Sequence, residues 1–255
     1  RRFVEPGEGE LACGETGPGR MAEPEVIVGT IETSFAPRPL SGVRVLVTAG
    51  RTEEAIDDVR YISNRSSGRM GFAVARAAKE MGASVTLIHG SVDIEPPEVD
   101  TVQEVVSAGD MKRAVERAFP RSDLLIMAAA VSDFTPARRK SGKMERGDEK
   151  LSLHLEPTPD ILASLAGKRK EGQIVVGFAL EAGDAEKRAK EKGKRKGCDY
   201  IVLNRIGENT GFGVATNRVI LYKGTRKVLE TGLIPKEEAA RLLLEKLSTD
   251  KRIGT

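Results

Sequence analysis

Few cysteines, no long apolar run and almost no surplus of either charge mark this chain, and each shortage removes a class of protein. Cys13 and Cys198 are the only cysteines in 255 residues, too few for a disulfide framework, so a reducing cytoplasm is the expected compartment. No apolar run approaches the roughly 20 residues that span a bilayer, and no signal-peptide pattern opens the chain, so no membrane partner is expected. The 41 basic residues outnumber the 38 acidic ones by three, which gives no case for general nucleic-acid binding. His89 and His154, the two histidines, stand without a ligand cluster, so no zinc site is expected. What remains is a globular balance of 39% hydrophobic and 31% charged residues, enough for one large α/β domain with a short appendage. The chain opens on Arg1 rather than Met, as a piece of a longer product would.

Three zones follow one another. Residues 1–32 are rich in Gly, Pro and Glu, with one helix-like stretch near Glu25–Ile31, and residues 33–42 (TSFAPRPLSG) read as a linker. From Val43 to Leu247 apolar strands alternate with amphipathic helices, which predicts an α/β fold: a Rossmann-like, mostly parallel sheet with helices on both faces. Strands are expected at Val43–Val47, Val85–Ile88, Asp100–Val106, Leu124–Ala128, Ile174–Phe178 and Tyr200–Leu203. A C-terminal antiparallel hairpin is expected from Val219–Tyr222 and Lys227–Glu230. Leu151, Leu153 and Leu155 alternate with polar residues, which predicts a short strand with one wet face. Helices are expected at Gly68–Met81, Gly109–Phe119, Pro159–Gly167, Asp184–Lys192 and Lys236–Leu247. Residues 248–255 are expected to be a polar, frayed tail.

The chemistry-bearing residues gather at predicted strand ends. The first strand ends in Thr48-Ala49-Gly50-Arg51-Thr52, where such a fold places its cofactor-facing loop, but the G-x-G-x-x-G fingerprint is missing. A long excursion carrying Arg60 and Asn64 leads instead to Ser66, Ser67 and Gly68 at a helix start. Those small residues either cap the helix or leave its N–H groups free for an anion. Arg60 and Asn64 could bind carboxylate or carbonyl oxygens of a substrate. After the fourth strand, Met127, Ala128 and Ala129 are small enough at two of three positions to admit a planar base or ribose. Asp133 then stands where it could hold ribose or Mg²⁺, or could simply cap a turn. The run from Pro136 to Glu149 (PARRKSGKMERGDE) is either a solvated loop or a flap whose Lys143 closes over a triphosphate. Pro159 and Asp160 open a helix, and Lys192 and Lys196 precede a strand.

Taken in order, VRYISNRSSGRMG, AAAVSDF, the Lys143 run, PDIL, GFALE and the paired lysines resemble phosphopantothenate–cysteine ligase, over essentially all of residues 43–247. Residues 9–21 (GELACGETGPGRM) resemble the closing segment of the flavin-dependent phosphopantothenoylcysteine decarboxylase that is fused ahead of the ligase in most bacteria. The resemblance implies a synthetase half carrying the tail of a decarboxylase half. It implies that phosphopantothenate attacks CTP, giving an acyl-cytidylate and pyrophosphate, and that cysteine then displaces CMP. Mg²⁺ would assist, and FMN would belong only to the absent decarboxylase domain. The site residues implied are Asn64 holding the acyl-cytidylate with Arg60 as assistant, Lys143 on the triphosphate, and Asp133 on ribose or metal. Gly50, Ser66, Ser67, Gly68, Met127, Ala128, Ala129, Pro159, Asp160, Ile161, Leu162, Phe178, Lys192 and Lys196 would line the nucleotide. Cys13 would be the decarboxylase's proton donor, idle without its flavin domain. A homodimer is implied, with the Val219–Glu230 hairpin a candidate contributor. One departure stands out: the family's flap reads Lys-x-Lys-Lys, whereas here it is Lys143-Met144-Glu145-Arg146. Two rivals are an NAD(P)-dependent reductase and a non-catalytic nucleotide-binding module. Against the first, Tyr61, Tyr200 and Tyr222 each lack a lysine four residues on.

Overall fold

The computed structural model describes residues 3–10, 16–35, 37–145, 151–181, 184–205 and 214–253. It divides into two compact units, Arg1–Arg38 and Pro39–Thr255. The first unit holds a two-stranded antiparallel pair, Gly7–Glu10 with Thr16–Arg20, and a helix Pro24–Phe35 that runs four residues beyond the stretch expected from sequence.

The second unit is built on an eight-stranded sheet. Its strands are β1 (Arg44–Ala49), β2 (Ser84–His89), β3 (Thr101–Glu104), β4 (Leu124–Met127), β5 (Ile174–Glu181), β6 (Tyr200–Arg205), β7 (Val219–Lys223) and β8 (Arg226–Glu230). Their spatial order is 3-2-1-4-5-6-7-8; the first six run parallel and the last two are antiparallel, as the sequence pattern predicts. This order reverses direction between β1 and β4, and ligands in such sheets bind outside the carboxyl ends of the strands at that reversal.

Alternation along β1 sorts the core into two layers. Val45 and Val47 face the helices α1 (Arg69–Glu80) and α5 (Lys236–Ser248), meeting Phe72, Val74, Leu243 and Leu247. Leu46 points the other way, onto α2 (Ala108–Ala118) and α3 (Ile161–Leu165), with Met111, Val115, Phe119 and Ile161. The helix α4 (Ala185–Arg195) covers β5 and β6, its Ala185 and Ala189 clustering with Ala179, Ile201 and Tyr222. Residues buried on both faces explain why β1 and β4 read as unbroken apolar runs, and each such side chain contributes about 1.5–3 kcal/mol. No helix among the described residues is long and apolar enough to cross a membrane.

Two glycine features set the approach of α1 to the sheet. A methyl group at Gly71 would stand 2.5 Å from the Ala49 Cβ, so only glycine lets this helix sit directly on the end of β1. Gly50 and Gly68 take φ of 76° and 74°, the left-handed region that favours glycine, and pack against each other.

Elsewhere the structure departs from the sequence expectations. The excursion after β1 folds into a hairpin, Glu53–Ala55 with Tyr61–Ser63, anchored where Glu54 accepts from the Ala108 N–H at 2.8 Å. The strand expected around Leu151 lies instead at Leu155–Pro157, paired with Phe134–Pro136, and all three of its residues are exposed. The α3 helix starts at Ile161 because Asp160 occupies the capping position, its carboxylate accepting from the Ala163 N–H. The β7–β8 hairpin forms as expected, with β7 buried except for Lys223 and β8 exposing Arg226, Lys227 and Glu230 at the sheet edge.

Candidate active site

Two adjoining cavities of about 310 Å³ each open at the carboxyl ends of β1, β4, β5 and β6. They share Ala129, Val131, Asp133, Phe178 and Lys192, so one wall separates two compartments of similar size. The first is lined by Asn64, Ser66, Ser67 and Gly68, the first turn of α1, Ala128 to Ala130, and Asn204, Asn217 and Lys236. The second is lined by Met127, Ser132, Thr158 to Leu162 and Lys196.

Backbone hydrogen bonds hold the strand ends that form this floor. The Ala128 N–H donates to the Thr48 carbonyl and the Ala130 N–H to the Gly50 carbonyl, at 3.2 and 2.8 Å. The Thr48 hydroxyl accepts from the Ala129 N–H and that of Thr52 from the Ser132 N–H. Asn64 is exposed, its amide donating to the Ala130 carbonyl at 3.2 Å, which aims this side chain across the first compartment. At α1 the capping position is Gly68, with no side-chain cap; Ser66 only accepts from the Gly68 N–H at 3.4 Å. The capping alternative for these serines is therefore not what the structure adopts, and Gly68 to Gly71, at the start of the helix, line the cavity, where the helix dipole favours an anion.

The charges here are arranged unlike an ordinary surface. Burial lowers the Lys192 pKa, with the nearby Lys196 charge acting the same way, and Lys192 has no ion pair among the described residues. Lys196 reaches Asp160 at 3.3 Å. Lys236, buried at 4% exposure, is likewise lowered by burial and by Arg69, and its ammonium donates to the Val214 carbonyl. Asn204 presents a buried amide oxygen that has no hydrogen-bond partner among the described residues. Asp133 is exposed at the junction of the two compartments. No group of three or more His, Cys, Asp or Glu residues suited to a metal occurs among the described residues. Mg²⁺ asks for less than that, since it commonly binds through one or two carboxylates and substrate phosphates, and a single exposed Asp133 fits such a role.

Most residues singled out from sequence converge here: Asn64, Ser66, Ser67, Gly68, Met127, Ala128, Ala129, Asp133, Pro159 to Leu162, Phe178, Lys192 and Lys196. Gly50 lies beneath Gly68 as support rather than lining. Arg60 and Lys143 line neither cavity: Arg60 pairs with Asp57 and donates to the Met144 carbonyl, and Lys143 is exposed. Cys13 and Arg146 lie outside the described residues. Cys198 packs against Gly177, and burial pushes its thiol up to about 11. Sequence reasoning missed Arg69, Asn204, Asn217 and Lys236. Asn204 had a signal, its place at the carboxyl end of a parallel strand. Lys236 had none, because it enters only through the packing of α5 on α1.

Residues 40–250 match the family model described as DNA/pantothenate metabolism flavoprotein C-terminal domain. A relative named cysteine/cysteine sulfinic acid decarboxylase, from an unknown prokaryotic organism, is 46% identical over 97% of this chain and 71% of its own length. The coenzyme A biosynthesis bifunctional protein CoaBC of Bacillus subtilis is 43% identical over 96% of this chain, which spans 62% of that relative's length. Among solved structures, the C-terminal domain of a CoaBC protein is 36% identical with a TM-score of 0.70, covering 83% of this chain and 96% of that one. The DNA/pantothenate metabolism flavoprotein from Streptococcus pneumoniae is 26% identical with a TM-score of 0.69, covering 80% and 98%.

Proposed function

Since the chain belongs to the DNA/pantothenate metabolism flavoprotein C-terminal domain family, we propose that it is a phosphopantothenate–cysteine ligase of coenzyme A biosynthesis using CTP. The observation that carries this reading is the pair of adjoining cavities sharing Asp133, Phe178 and Lys192. A ligase of this kind must hold a nucleotide and a second anion side by side, and two compartments meeting at one acid and one lysine suit that requirement.

In this reading cytidine occupies the compartment of Met127, Phe178 and the Pro159–Leu162 turn, with Asp133 on its ribose. Phosphopantothenate enters the other, its carboxylate directed at the α-phosphate beside Asn64. The carboxylate oxygen forms a bond to phosphorus as the bond to the pyrophosphate oxygen breaks, leaving an acyl-cytidylate. The cysteine amine then attacks the acyl carbon, CMP departs, and the amine's proton goes to solvent. Joining one anion to a polyanion requires neutralisation, which Lys192, Lys196, Lys143 and the N-terminus of α1 supply. Mg²⁺ bound with the nucleotide, near Asp133, would withdraw charge from the phosphates. Asn64 orients the acyl oxygen for the second step, with Arg60 assisting.

The reading extends to the longer protein, whose flavin domain would decarboxylate the product with Cys13 as proton donor, and to the reducing cytoplasm suggested by two cysteines. It also includes a homodimer. Supporting that, the two adjacent hairpins expose Val59, Tyr61, Phe134, Leu153 and Leu155, an apolar group that a second copy would cover. Light scattering that found only monomer at micromolar concentration would remove the dimer.

The test is pyrophosphate release from CTP and phosphopantothenate with Mg²⁺, with and without cysteine. Release with CTP, and an acyl-cytidylate that vanishes when cysteine is added, is the expected result. Release with ATP alone would overturn the choice of nucleotide. No release with either would favour a reductase or a non-catalytic module.

A further inference from the structure

Asp57 is the most enclosed carboxylate of the excursion, 2% exposed, yet it lies in a surface turn and lines neither cavity. One oxygen accepts from the Val59 and Arg60 N–H groups at 2.8 and 2.7 Å, closing the turn. The other accepts from the Arg60 guanidinium and, across 87 residues of sequence, from the Met144 N–H at 3.1 Å. Arg60 in turn donates to the Met144 carbonyl at 2.7 Å. The two side chains therefore occupy both polar groups of the Met144 main chain, as a neighbouring strand would, without regard to the methionine side chain. Flanking bonds extend the grip: the Lys140 N–H donates to the Ile56 carbonyl, the Gly142 N–H to the Asp58 carboxylate, and Arg139 pairs with Asp58 at 2.8 Å.

We propose that Asp57 is a positioning residue: with Arg60 it clamps the main chain at Met144, so that Arg60 and Lys143 are held as one unit. Lys143 stands between Gly142 and Met144, both gripped, so its exposed side chain is presented from a fixed backbone. Neither Arg60 nor this segment can leave its place without stranding the Asp57 carboxylate, which burial makes unfavourable. Arg60 and Lys143 were each assigned a role in ligation, and that part of the inference rests on the proposed function; the clamp itself does not.

The experiment is limited trypsin digestion of the whole chain without ligands, read by mass spectrometry at the bonds following Arg138, Arg139, Lys140 and Lys143. Asp57→Asn, Arg60→Gln and the double variant are compared with the unaltered chain, and circular dichroism identifies the folded samples. Each single variant is expected to speed cleavage about tenfold, and the double variant about tenfold also, since members of one unit are not additive. Unchanged cleavage in a folded variant, or a double effect equal to the product of the singles, would overturn the clamp. If Asp57→Asn does not fold, the Arg60→Gln rate alone decides, because Arg60 is exposed. In pyrophosphate release, Asp57→Asn is expected to raise KM for CTP about tenfold and leave KM for cysteine unchanged, a split that general loosening would not give. Faster cleavage with unchanged KM for CTP would uphold the clamp and remove Lys143 from the triphosphate.

Discussion

The two ends of one parallel sheet treat charge in opposite ways. At the amino ends, polar groups are spent on one another. Asp250, with its side chain 4% exposed, accepts from Tyr200, Lys223 and Arg252, while Asp199 takes Arg252 and Arg169, and Asp123 takes Arg44. At the carboxyl ends Asn64, Asp133 and Lys192 line open cavities, and Lys192 is half-buried without an ion pair among the described residues. Uncompensated burial opposes folding, so a sheet end that tolerates it is holding those groups for something that arrives later. The knotted end carries stability and the open end carries chemistry.

The comparison breaks most visibly at Asn64. Replacing Asn64 by Ala is expected to lower kcat about 10²- to 10³-fold, or about 3–4 kcal/mol, while Tm stays within about 2 °C. Pyrophosphate release and a melting curve on the same sample check both halves. A large loss of Tm would mean that this end, too, is structural. The mirror experiment is Asp250→Asn. It is expected to cost about 3 kcal/mol, lowering Tm by about 6–12 °C, with kcat/KM at 25 °C within about twofold. Arg252, then Lys223 and Tyr200, hold the Asp250 carboxyl well below the usual range. A depressed folded pKa means that this stability is present above about pH 4, the unfolded value, and is lost as pH falls below it. Urea melts between pH 7 and 3 should therefore show a shallower acid loss in the Asn variant.

A smaller effect sharpens the contrast. Lys192→Met removes a cation whose pKa burial already lowers, so KM for CTP is expected to rise about tenfold while Tm holds or rises by about 2 °C. Gain of stability with loss of affinity is the signature of a residue kept for its ligand. If Tm falls instead, Lys192 belongs with the knotted end.

Much of this division was legible in the sequence, for a physical reason. A strand buried on both faces must be apolar throughout, so β1, β4 and β5 announce themselves, and the residues that follow each strand fall at the carboxyl end without further information. Strand ends thus drew attention to Asn64, Met127 to Ala129 and Asp133 before any coordinates, while their roles, and the choice of Phe178, came from the resemblance to the ligase family. What could not be read depends on separation along the chain. Lys236 reaches the cavity only because α5 packs on α1, and Asp57 meets Met144 only because two loops cross. The hairpin in the excursion was missed because its strands have three residues each, too short for alternation to show. Leu151 and Leu153 misled because alternation predicts a half-buried strand, whereas Leu151, Leu153 and Leu155 are all exposed among the described residues.

The least effect is expected at Arg44, although its geometry is among the best at the knotted end. Its guanidinium makes two bonds to Asp123, at 3.0 and 2.6 Å, and its backbone N–H makes a third at 2.8 Å. The Arg44 side chain is 58% exposed, however, so water and salt screen the pair, and holding the long side chain in one rotamer offsets part of the attraction. The backbone bond remains when the side chain is removed. Arg44→Ala is therefore expected to lower Tm by no more than about 2 °C, and by less in 1 M salt than in 0.05 M. Melting curves at the two salt concentrations measure this directly. A drop as large as that of Asp250→Asn would show that exposure does not discriminate between these ion pairs. The division of the sheet into a knotted and an open end would then rest on pairing alone.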